Sequence, residues 1–293
     1  PRSSSASTSC RKSEPPGLLE HRVQPPASSS RAVSLLGIPF DENSSYLRGT
    51  ADAPPRIVEA LFCDSSNLWT ENGLDLHGRV HDLGSVHLPT GTPAAFAAIE
   101  AAVAAQLQPP APLILLGGDH SITYPVLKAF APRFPDLEIL HFDAHPDLYD
   151  QLAGNRYSHA CPFARVMEEK LAKRMVQLGI RTMTGHQREQ AQRFGVEVLE
   201  MKDLARWPAL TFRGPVYLSF DVDVLDPAFA PGVSHWEPGG LSVREVLNLL
   251  HTLEIRLVGG DVVEYNPGRD ESGRTAMVCA KVVKEVAGLM LRE

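Results

Sequence analysis

Aspartate and histidine residues cluster in three short segments, and each segment follows or ends an apolar run. The segments read GGDHS at 117–121, DAHPD at 143–147 and SFDVDVLDP at 219–227. On an extended segment, residues two apart face the same side, so Asp143, His145 and Asp147 project together, as do Asp221 and Asp223. Carboxylates and imidazoles that converge in this way are typical ligands of divalent cations.

The first segment adds a histidine and does not read as a phosphate loop. Its paired glycines allow a tight exit from a strand and place Asp119 and His120 directly before a helix. A phosphate loop would need the pattern G-x-x-x-x-G-K-[S/T], which is absent here, and the charge of Asp119 would repel a phosphate. The segment therefore supplies His120 as a further candidate metal ligand.

Together the segments offer four carboxylates and two imidazoles as candidate metal ligands, namely His120, Asp143, His145, Asp147, Asp221 and Asp223. Two carboxylates at the end of one apolar strand are each costly to ionise without a cation beside them. The set carries more negative charge than one Zn²⁺ normally collects, which favours two metals with bridging carboxylates. Two neighbours have other predicted roles: His141 is a buried, hydrogen-bonded histidine, and Asp226, before a proline, is a turn residue.

Short apolar runs alternate with longer helical stretches from residue 32 onward. The predicted strands are 32–37, 79–83, 113–116, 138–143, 175–180, 196–199, 216–221 and 256–264, and the predicted helices are 54–62, 92–106, 121–130, 162–171, 186–194, 242–253 and 276–291. This alternation predicts right-handed β-α-β crossovers and a mostly parallel sheet. In such a sheet the candidate ligands lie beyond the carboxyl ends of the strands. No repeat or linker divides residues 32–293, which predicts one α/β domain.

The composition excludes several functional classes. The 293 residues are 43% hydrophobic and 22% charged, which is typical of a globular protein. A net charge of −7 gives no general attraction to nucleic acid or anionic lipid, and no apolar run approaches the roughly 18 residues of a membrane span. We therefore expect neither nucleic acid nor membrane as a partner. The four cysteines form no C-x-x-C pair, which excludes a zinc ribbon and indicates reduced thiols.

Residues 1–31 differ in composition from the rest of the chain. They are rich in Ser, Pro and basic residues, contain only Glu14 and Glu20 as acids, and have few bulky apolar side chains. Such a segment cannot bury enough surface to offset its ordering entropy, so it is predicted to be disordered. It is either a plain tail or an organelle-targeting segment. The expected compartment is accordingly the cytoplasm, or a mitochondrion or plastid if the segment targets the protein.

With these motifs the chain resembles the ureohydrolase family, which includes arginase and agmatinase. The three motifs occur in the family's order, and the resemblance runs from about residue 32 to the C-terminus. The stretches HPDLYD, GNRYSHACPFARVME, REQAQRFGVE and PGVSHWEPGGLS resemble the plant-type arginase branch. The resemblance implies the three-layer α/β/α arginase fold with a central eight-stranded sheet, two Mn²⁺ ions per subunit, and a homotrimer or homohexamer.

The resemblance also assigns roles to individual residues. One manganese ion would be held by His120, Asp143, Asp147 and Asp221, and the other by His145, Asp143, Asp221 and Asp223, with Asp143 and Asp221 bridging. His159 matches the family's mobile acid/base histidine, although a structural loop histidine is the alternative. Glu264 matches the carboxylate that receives the substrate guanidinium, and its alternative is a surface or capping residue. Asp147 is expected to pass a proton to the leaving amine.

The implied reaction is hydrolysis of a linear guanidino compound to urea and an amine. L-Arginine is the favoured substrate because of the plant-type features. Animal-type arginases carry Asn where this chain has Tyr149, so agmatine and other guanidino compounds stay open, as does Ni²⁺ in place of Mn²⁺. The loop 231–238, with His235, Trp236 and Glu237, is expected to line the pocket mouth. The alternative is a structural loop with one buried tryptophan.

Two other functional classes are alternatives to a ureohydrolase. A zinc deacetylase of the same overall fold uses one metal and needs neither the position of His120 nor the pair formed by Asp221 and Asp223. An inactive subunit that supports an active paralogue would lack some of the ligands. All six candidate ligands are present in this chain, which argues against both classes.

Overall fold

The computed structural model describes residues 31–108 and 111–292, so residues 1–30 of the predicted tail lie outside the described residues. The strands are β1 Val33–Gly37, β2 Val80–Ser85, β3 Leu113–Leu116, β4 Glu138–Phe142, β5 Arg174–Ile180, β6 Glu197–Glu200, β7 Pro215–Asp221 and β8 Arg256–Val263. The α-helices are α1 Ala53–Leu61, α2 Thr92–Gln106, α3 Thr123–Phe130, α4 Pro162–Glu168, α5 Gly185–Phe194, α6 Val243–Thr252 and α7 Arg274–Met290.

Each predicted strand and helix is present, and the differences lie at the ends of the elements. The first turn of the helix predicted at 121–130 is a separate 3-10 helix, His120–Ile122. The helix predicted at 162–171 ends at Glu168, because Lys170 adopts a left-handed φ of 55° that an α-helix cannot continue. β4 ends at Phe142 and β8 at Val263, so Asp143 and Glu264 lie just beyond their strands.

The strands form one eight-stranded sheet in the order β2-β1-β3-β8-β7-β4-β5-β6, and every pairing between them is parallel. The sheet is thus wholly parallel over the described strands, where the sequence predicted a mostly parallel one. A parallel strand covered by helices on both faces buries all of its side chains, which explains the continuous apolar runs. In β3 and β4, for example, every residue is buried.

Two apolar cores lie on the opposite faces of the sheet. One core packs under α1, α6 and α7 and contains Ile57, Leu250 and Val283. The other packs under α2, α3, α4 and α5 and contains Ile99 and Phe163. The result is the expected three-layer α/β/α architecture. Across residues 31–108 and 111–292, no helix has both the length and the apolar character needed to cross a membrane.

The four middle strands decide where the functional groups meet. β3, β8, β7 and β4 are neighbours in the sheet, although they are far apart along the chain. Since parallel strands end at the same edge, the segments that follow these four strands come together there. These segments carry the three motifs found in the sequence, together with Glu264.

Candidate metal centre

The tight exit from β3 places the first candidate ligand. His120 begins the 3-10 helix His120–Ile122, and Asp119 caps that helix by accepting a hydrogen bond from Ser121 N at 3.0 Å. The turn requires glycine before Asp119, because a Cβ on Gly118 would overlap the carbonyl oxygen of Phe40. This local geometry directs the His120 side chain over the edge of the sheet.

Three carboxylates surround the Nδ1 atom of His120. The distances from Nδ1 are 3.2 Å to Asp143 Oδ2, 3.0 Å to Asp147 Oδ2 and 3.2 Å to Asp221 Oδ2. His120 is fully buried, so solvent does not screen the three carboxylates that face it. The four side chains are those that the family resemblance assigns to one metal ion.

Hydrogen bonds behind His120 define its tautomer. The hydroxyl of Ser219 donates to Asp261 Oδ1 at 2.7 Å, and its oxygen lies 3.0 Å from His120 Nε2. Because the hydroxyl proton points at Asp261, Ser219 accepts from His120 Nε2–H. Asp261 also accepts from the hydroxyls of Tyr217 and Thr123, at 2.7 and 2.8 Å, and these bonds hold it in place.

The environment of His120 Nδ1 requires a positive charge. Burial by itself would lower the pKa of His120, but the three carboxylates outweigh it and raise that pKa well above its usual range. Nδ1 nevertheless makes no aligned hydrogen bond with any described group, since its neighbours lie out of donor geometry. An imidazole nitrogen surrounded by carboxylate oxygens fits a divalent cation better than a proton.

A second imidazole completes the cluster on the opposite side of Asp143. His145 Nδ1 lies 3.0 Å from Asp223 Oδ2 and 3.4 Å from Asp143 Oδ1. Asp143 thus faces His120 with one oxygen and His145 with the other, as a bridging carboxylate would. Asp223 is fixed by Ala144 N, which donates to its Oδ1 at 3.0 Å, and Asp223 N donates to Asp221 Oδ1 at 2.8 Å.

His141 supports Asp143 from inside the sheet. The amide nitrogen of Gln177 donates to the Pro146 carbonyl oxygen at 2.6 Å, which identifies it as the NH₂ group. The same nitrogen lies 3.1 Å from His141 Nδ1, so Nδ1 accepts and the opposite Nε2–H donates to Asp143 Oδ2 at 2.8 Å. His141 is fully buried and hydrogen-bonded, as predicted, although its ring nitrogen also lies close enough to His120 and Asp143 for metal binding.

Without cations, the neighbouring aspartates of the cluster oppose one another's ionisation. Burial and the charges of Asp223 and Asp143 raise the pKa of Asp221 well above its usual range, and burial and Asp143 likewise raise the pKa of Asp147. Burial also opposes ionisation of Asp143, but His141, His120 and His145 hold its pKa well below the usual value. Neighbouring carboxylates that cannot all ionise are stabilised when cations balance their charges.

Glu264 and His159 form a pair beside this cluster. Glu264 Oε1 accepts hydrogen bonds from His120 N and from His159 Nδ1, both at 2.8 Å. Glu264 is 5% exposed and His159 8% exposed, so a surface position for Glu264 is wrong. Burial would lower the pKa of His159, but Glu264, Asp119 and Asp147 raise it to about 9, while His159 lowers the pKa of Glu264 against the effect of burial.

A cavity of about 210 Å³ opens onto both groups. Its lining includes the polar residues Ser45, His145, Asp147, Tyr149, His159, Thr182, Thr184, Gln187, Asp221, Asp223, His235 and Glu264. Clefts of about 440 and 700 Å³ lie elsewhere, but the groups of potential metal ligands found among the described residues all lie at the 210 Å³ cavity or directly beneath it. The cavity of about 210 Å³ is therefore the candidate active site.

Of the predicted mouth residues His235, Trp236 and Glu237, His235 lines this cavity, as does Tyr149, whereas Trp236 and Glu237 do not. The Tyr149 ring stacks on His186 at 5.8 Å, and the His235 ring lies 5.2 Å from His159 and 5.7 Å from Tyr46. Trp236, in contrast, is 52% exposed and packs on Arg269, so the alternative with a buried tryptophan is wrong.

Several residues that contact the site were not predicted from the sequence. Ser219 is two residues before Asp221, so its position on the same strand face was a usable signal, as was the position of Asp261 within β8. Arg181 follows the end of β5, and its guanidinium donates to the carbonyls of Asp223 and Glu237 at 2.6 and 2.8 Å. It thereby ties the segment carrying a candidate ligand to the mouth loop.

The comparisons with known proteins point in one direction. The family model described as Arginase family matches residues 31–288. The protein named "Arginase 1, mitochondrial" of Arabidopsis thaliana is 49% identical and aligns with 87% of this chain and 80% of its own length. The solved arginase of Medicago truncatula has a TM-score of 0.85 at 46% identity, covering 89% of this chain and 88% of that one. An agmatinase of Bacillus cereus is 33% identical over 89% of this chain and 92% of its own.

Proposed function

Because this chain belongs to the arginase family, we propose that it hydrolyses L-arginine to ornithine and urea. One observation carries this proposal. Three carboxylates surround His120, where a cation would balance their charge, and the buried carboxylate of Glu264 lies at the same cavity. The cluster suits activation of a water, and the carboxylate suits a cationic guanidinium. A single-metal deacetylase would need no such second imidazole and no Asp221–Asp223 pair.

The proposed cofactor is a pair of Mn²⁺ ions. His120, Asp147, Asp143 and Asp221 would hold one ion, and His145, Asp223, Asp143 and Asp221 the other. When bound, such a pair lowers the pKa of a water molecule and orients it toward the substrate carbon. Ni²⁺ is the alternative, since nitrogen and oxygen ligands bind it at least as tightly as Mn²⁺. Metal analysis after reconstitution with Mn²⁺ should approach two ions per chain, and a fully active one-metal form would contradict the pair.

Glu264 positions the substrate in this proposal. Oε1 is held by His120 N and His159 Nδ1, so the carboxylate is fixed in orientation before substrate enters. A carboxylate can bind the planar guanidinium through two parallel hydrogen bonds, which sets the plane of the group for attack on its carbon. The negative charge also offsets the positive charge of the substrate.

Proton transfer is assigned to Asp147 and His159, both of which line the cavity. Asp147 takes the proton that the attacking water releases and gives it to the leaving nitrogen. His159 holds a proton at Nδ1, where Glu264 accepts its hydrogen bond, and exchanges it with the departing amine. Tyr149 and His235 border the substrate tail.

The part of the cavity that would receive the substrate tail needs its own assay. Thr182, Thr184 and Gln187, which line the cavity beside Tyr149, carry no charge and so discriminate weakly between a zwitterionic tail and a lone ammonium. Urea release should be measured from arginine, agmatine, guanidinobutyrate and guanidine, after loading with Mn²⁺ or Ni²⁺. We expect the highest kcat/KM for arginine with Mn²⁺. A higher value for agmatine would make the protein an agmatinase, and no urea from any of them would overturn the proposal.

The homotrimer or homohexamer is also a proposal for this chain. Light scattering coupled to size-exclusion chromatography measures the mass directly. We expect three or six times the mass of one chain, and a monomeric mass with full activity would contradict the assembly.

An organellar location is proposed on the composition of residues 1–30 and on the name of the Arabidopsis relative, which includes the word mitochondrial. A fluorescent protein fused after residue 30 should co-localise with a mitochondrial or plastid marker in plant cells. Diffuse cytoplasmic fluorescence would instead assign the protein to the cytoplasm.

A further inference from the structure

Ser45 contacts His159 on the side of the ring that faces away from Glu264. His159 Nδ1 lies 2.8 Å from Glu264 Oε1, and Nε2 lies 2.8 Å from Ser45 Oγ. His159 is 8% exposed, whereas Ser45 is an exposed residue that lines the same cavity. The serine hydroxyl therefore joins a buried imidazole to solvent.

We propose that Ser45 is a positioning residue that orients His159 and passes protons between His159 Nε2 and solvent. The inference rests on the proposed function, in which His159 exchanges protons with the leaving amine. It concerns a residue outside the three motifs, in the loop 41–48 that precedes α1.

A hydroxyl suits both protonation states of the imidazole. The Glu264 carboxylate only accepts hydrogen bonds, so the resting ring carries a proton on Nδ1 and turns Nε2 toward Ser45. When His159 Nε2 is unprotonated, the Ser45 hydroxyl donates a hydrogen bond to it. When Nε2 is protonated, Ser45 Oγ accepts a hydrogen bond from it. The ring thus keeps its orientation through a proton transfer.

The same geometry gives a balanced path for the proton. When Nδ1–H is given to the leaving nitrogen, Ser45 passes its hydroxyl proton to Nε2 and takes one from a solvent water. In the reverse direction, a proton accepted at Nδ1 is matched by one that leaves Nε2 for Ser45 Oγ, while the hydroxyl proton moves to solvent.

The loop that carries Ser45 is held independently of its hydroxyl. Asn43 accepts a hydrogen bond from His159 N through its carbonyl oxygen at 3.1 Å. Asn43 N donates to Asp119 Oδ2 at 2.9 Å, and its amide donates to Ser121 Oγ at 3.1 Å. These bonds fasten the loop to the exit of β3, so removing the Ser45 hydroxyl should leave the loop in place.

The test compares Ser45→Ala and Ser45→Thr with Ser44→Ala in the manganese-loaded enzyme. Ser44 is the matched control, because it lies in the same loop and its hydroxyl bonds Asp119 rather than His159. We expect kcat of Ser45→Ala to fall about ten- to hundredfold with KM within about threefold, since general acid–base steps contribute about 10²–10⁴. Ser45→Thr should restore most of kcat, and Ser44→Ala should match the wild type in kcat.

Crystal structures of the wild-type and Ser45→Ala holoenzymes give a readout that does not need turnover. In the variant we expect the His159 ring to tilt about its Nδ1–Glu264 hydrogen bond, because Nε2 has lost its partner. If the wild type releases no urea from any guanidino compound, the proposed function fails, and the ring orientation alone decides the role of Ser45. The inference would be overturned by a kcat of Ser45→Ala within threefold of the wild type. It would also be overturned if the His159 ring had the same orientation in the variant as in the wild type.

Discussion

Replacing Glu264 with Gln tests the substrate-binding carboxylate by removing a charge and little else. Glu264 Oε1 accepts hydrogen bonds from His120 N and His159 Nδ1, both at 2.8 Å, in a position that is 5% exposed. The amide oxygen of Gln can accept the same two bonds. We therefore expect the exit of β3 and the candidate metal ligands to keep their geometry, while the charge that would balance a guanidinium is lost.

The expected loss in catalysis follows from the burial of this group. A charge-assisted hydrogen bond in a largely dry site contributes about 2–4 kcal/mol. At about 1.4 kcal/mol per factor of ten, kcat/KM for arginine should fall about thirty- to thousandfold. The pKa of His159, which Glu264 helps to raise to about 9 against the effect of burial, should fall in the same variant.

Steady-state urea release, metal content and melting temperature should be measured on the same preparations. Metal content should equal that of the wild type, and the melting temperature should change by only a few degrees. Glu237→Gln is the control, because Glu237 lies at the mouth with 38% of its side chain exposed and is 3.9 Å from His145. Near-normal kcat/KM for the Glu264 variant would refute the assignment, and loss of metal would make Glu264 part of the metal centre instead.

Three further predictions follow from the contacts of the site. Asp221→Ala should abolish activity and lower metal content. Asp226→Ala should keep both and lower only the melting temperature, because Asp226 accepts hydrogen bonds from Ala228 N in its own turn and from Gly239 N farther along the chain. Equal metal loss in the two variants would contradict this prediction. Arg181→Lys should lower the free energy of unfolding by about 2–3 kcal/mol and weaken metal binding, since lysine cannot reach several carbonyls at once. A denaturation curve and a metal titration that both match the wild type would refute this prediction. In the metal-free protein, carboxylates raise the pKa of His159 from 6.5 to about 9 against the effect of burial. The charged His159 therefore stabilises the folded state fully below about pH 6.5, and this contribution is lost as the pH rises through about 9. The melting temperature of metal-free wild type should therefore fall more over this range than that of Glu264→Gln, and parallel curves would contradict the pair.

The strands and helices were predictable because their signal is local. A strand buried on both faces is apolar at most positions, and a helix over a sheet is apolar at intervals of three and four. Only the ends of these elements differ from the prediction. The left-handed φ of Lys170, which ends α4 early, has no counterpart in the hydrophobic pattern.

The side chains that meet around His120 were predictable for a related reason. Asp143, His145 and Asp147 lie two apart in sequence, as do Asp221 and Asp223, but the extended conformation expected for them is wrong, because Asp147 has a left-handed φ of 50° and Asp223 lies in the 3-10 helix Val222–Val224. What brings these side chains to the cluster is their position directly after β4 and at the end of β7. Strand ends of a parallel sheet share one edge, which brings the sets together without knowledge of the strand order.

What the sequence by itself determined, then, is the alternation of elements and the cluster of charged groups at one edge of the sheet. Only the tertiary structure decided which distant residues touch: β8 lies between β3 and β7, and this order brings Glu264 to His120 N and Asp261 to Ser219. The contact between Ser45 and His159 joins residues 114 positions apart. Such contacts depend on the packing of whole elements against one another, and a local pattern of side chains carries no record of that packing.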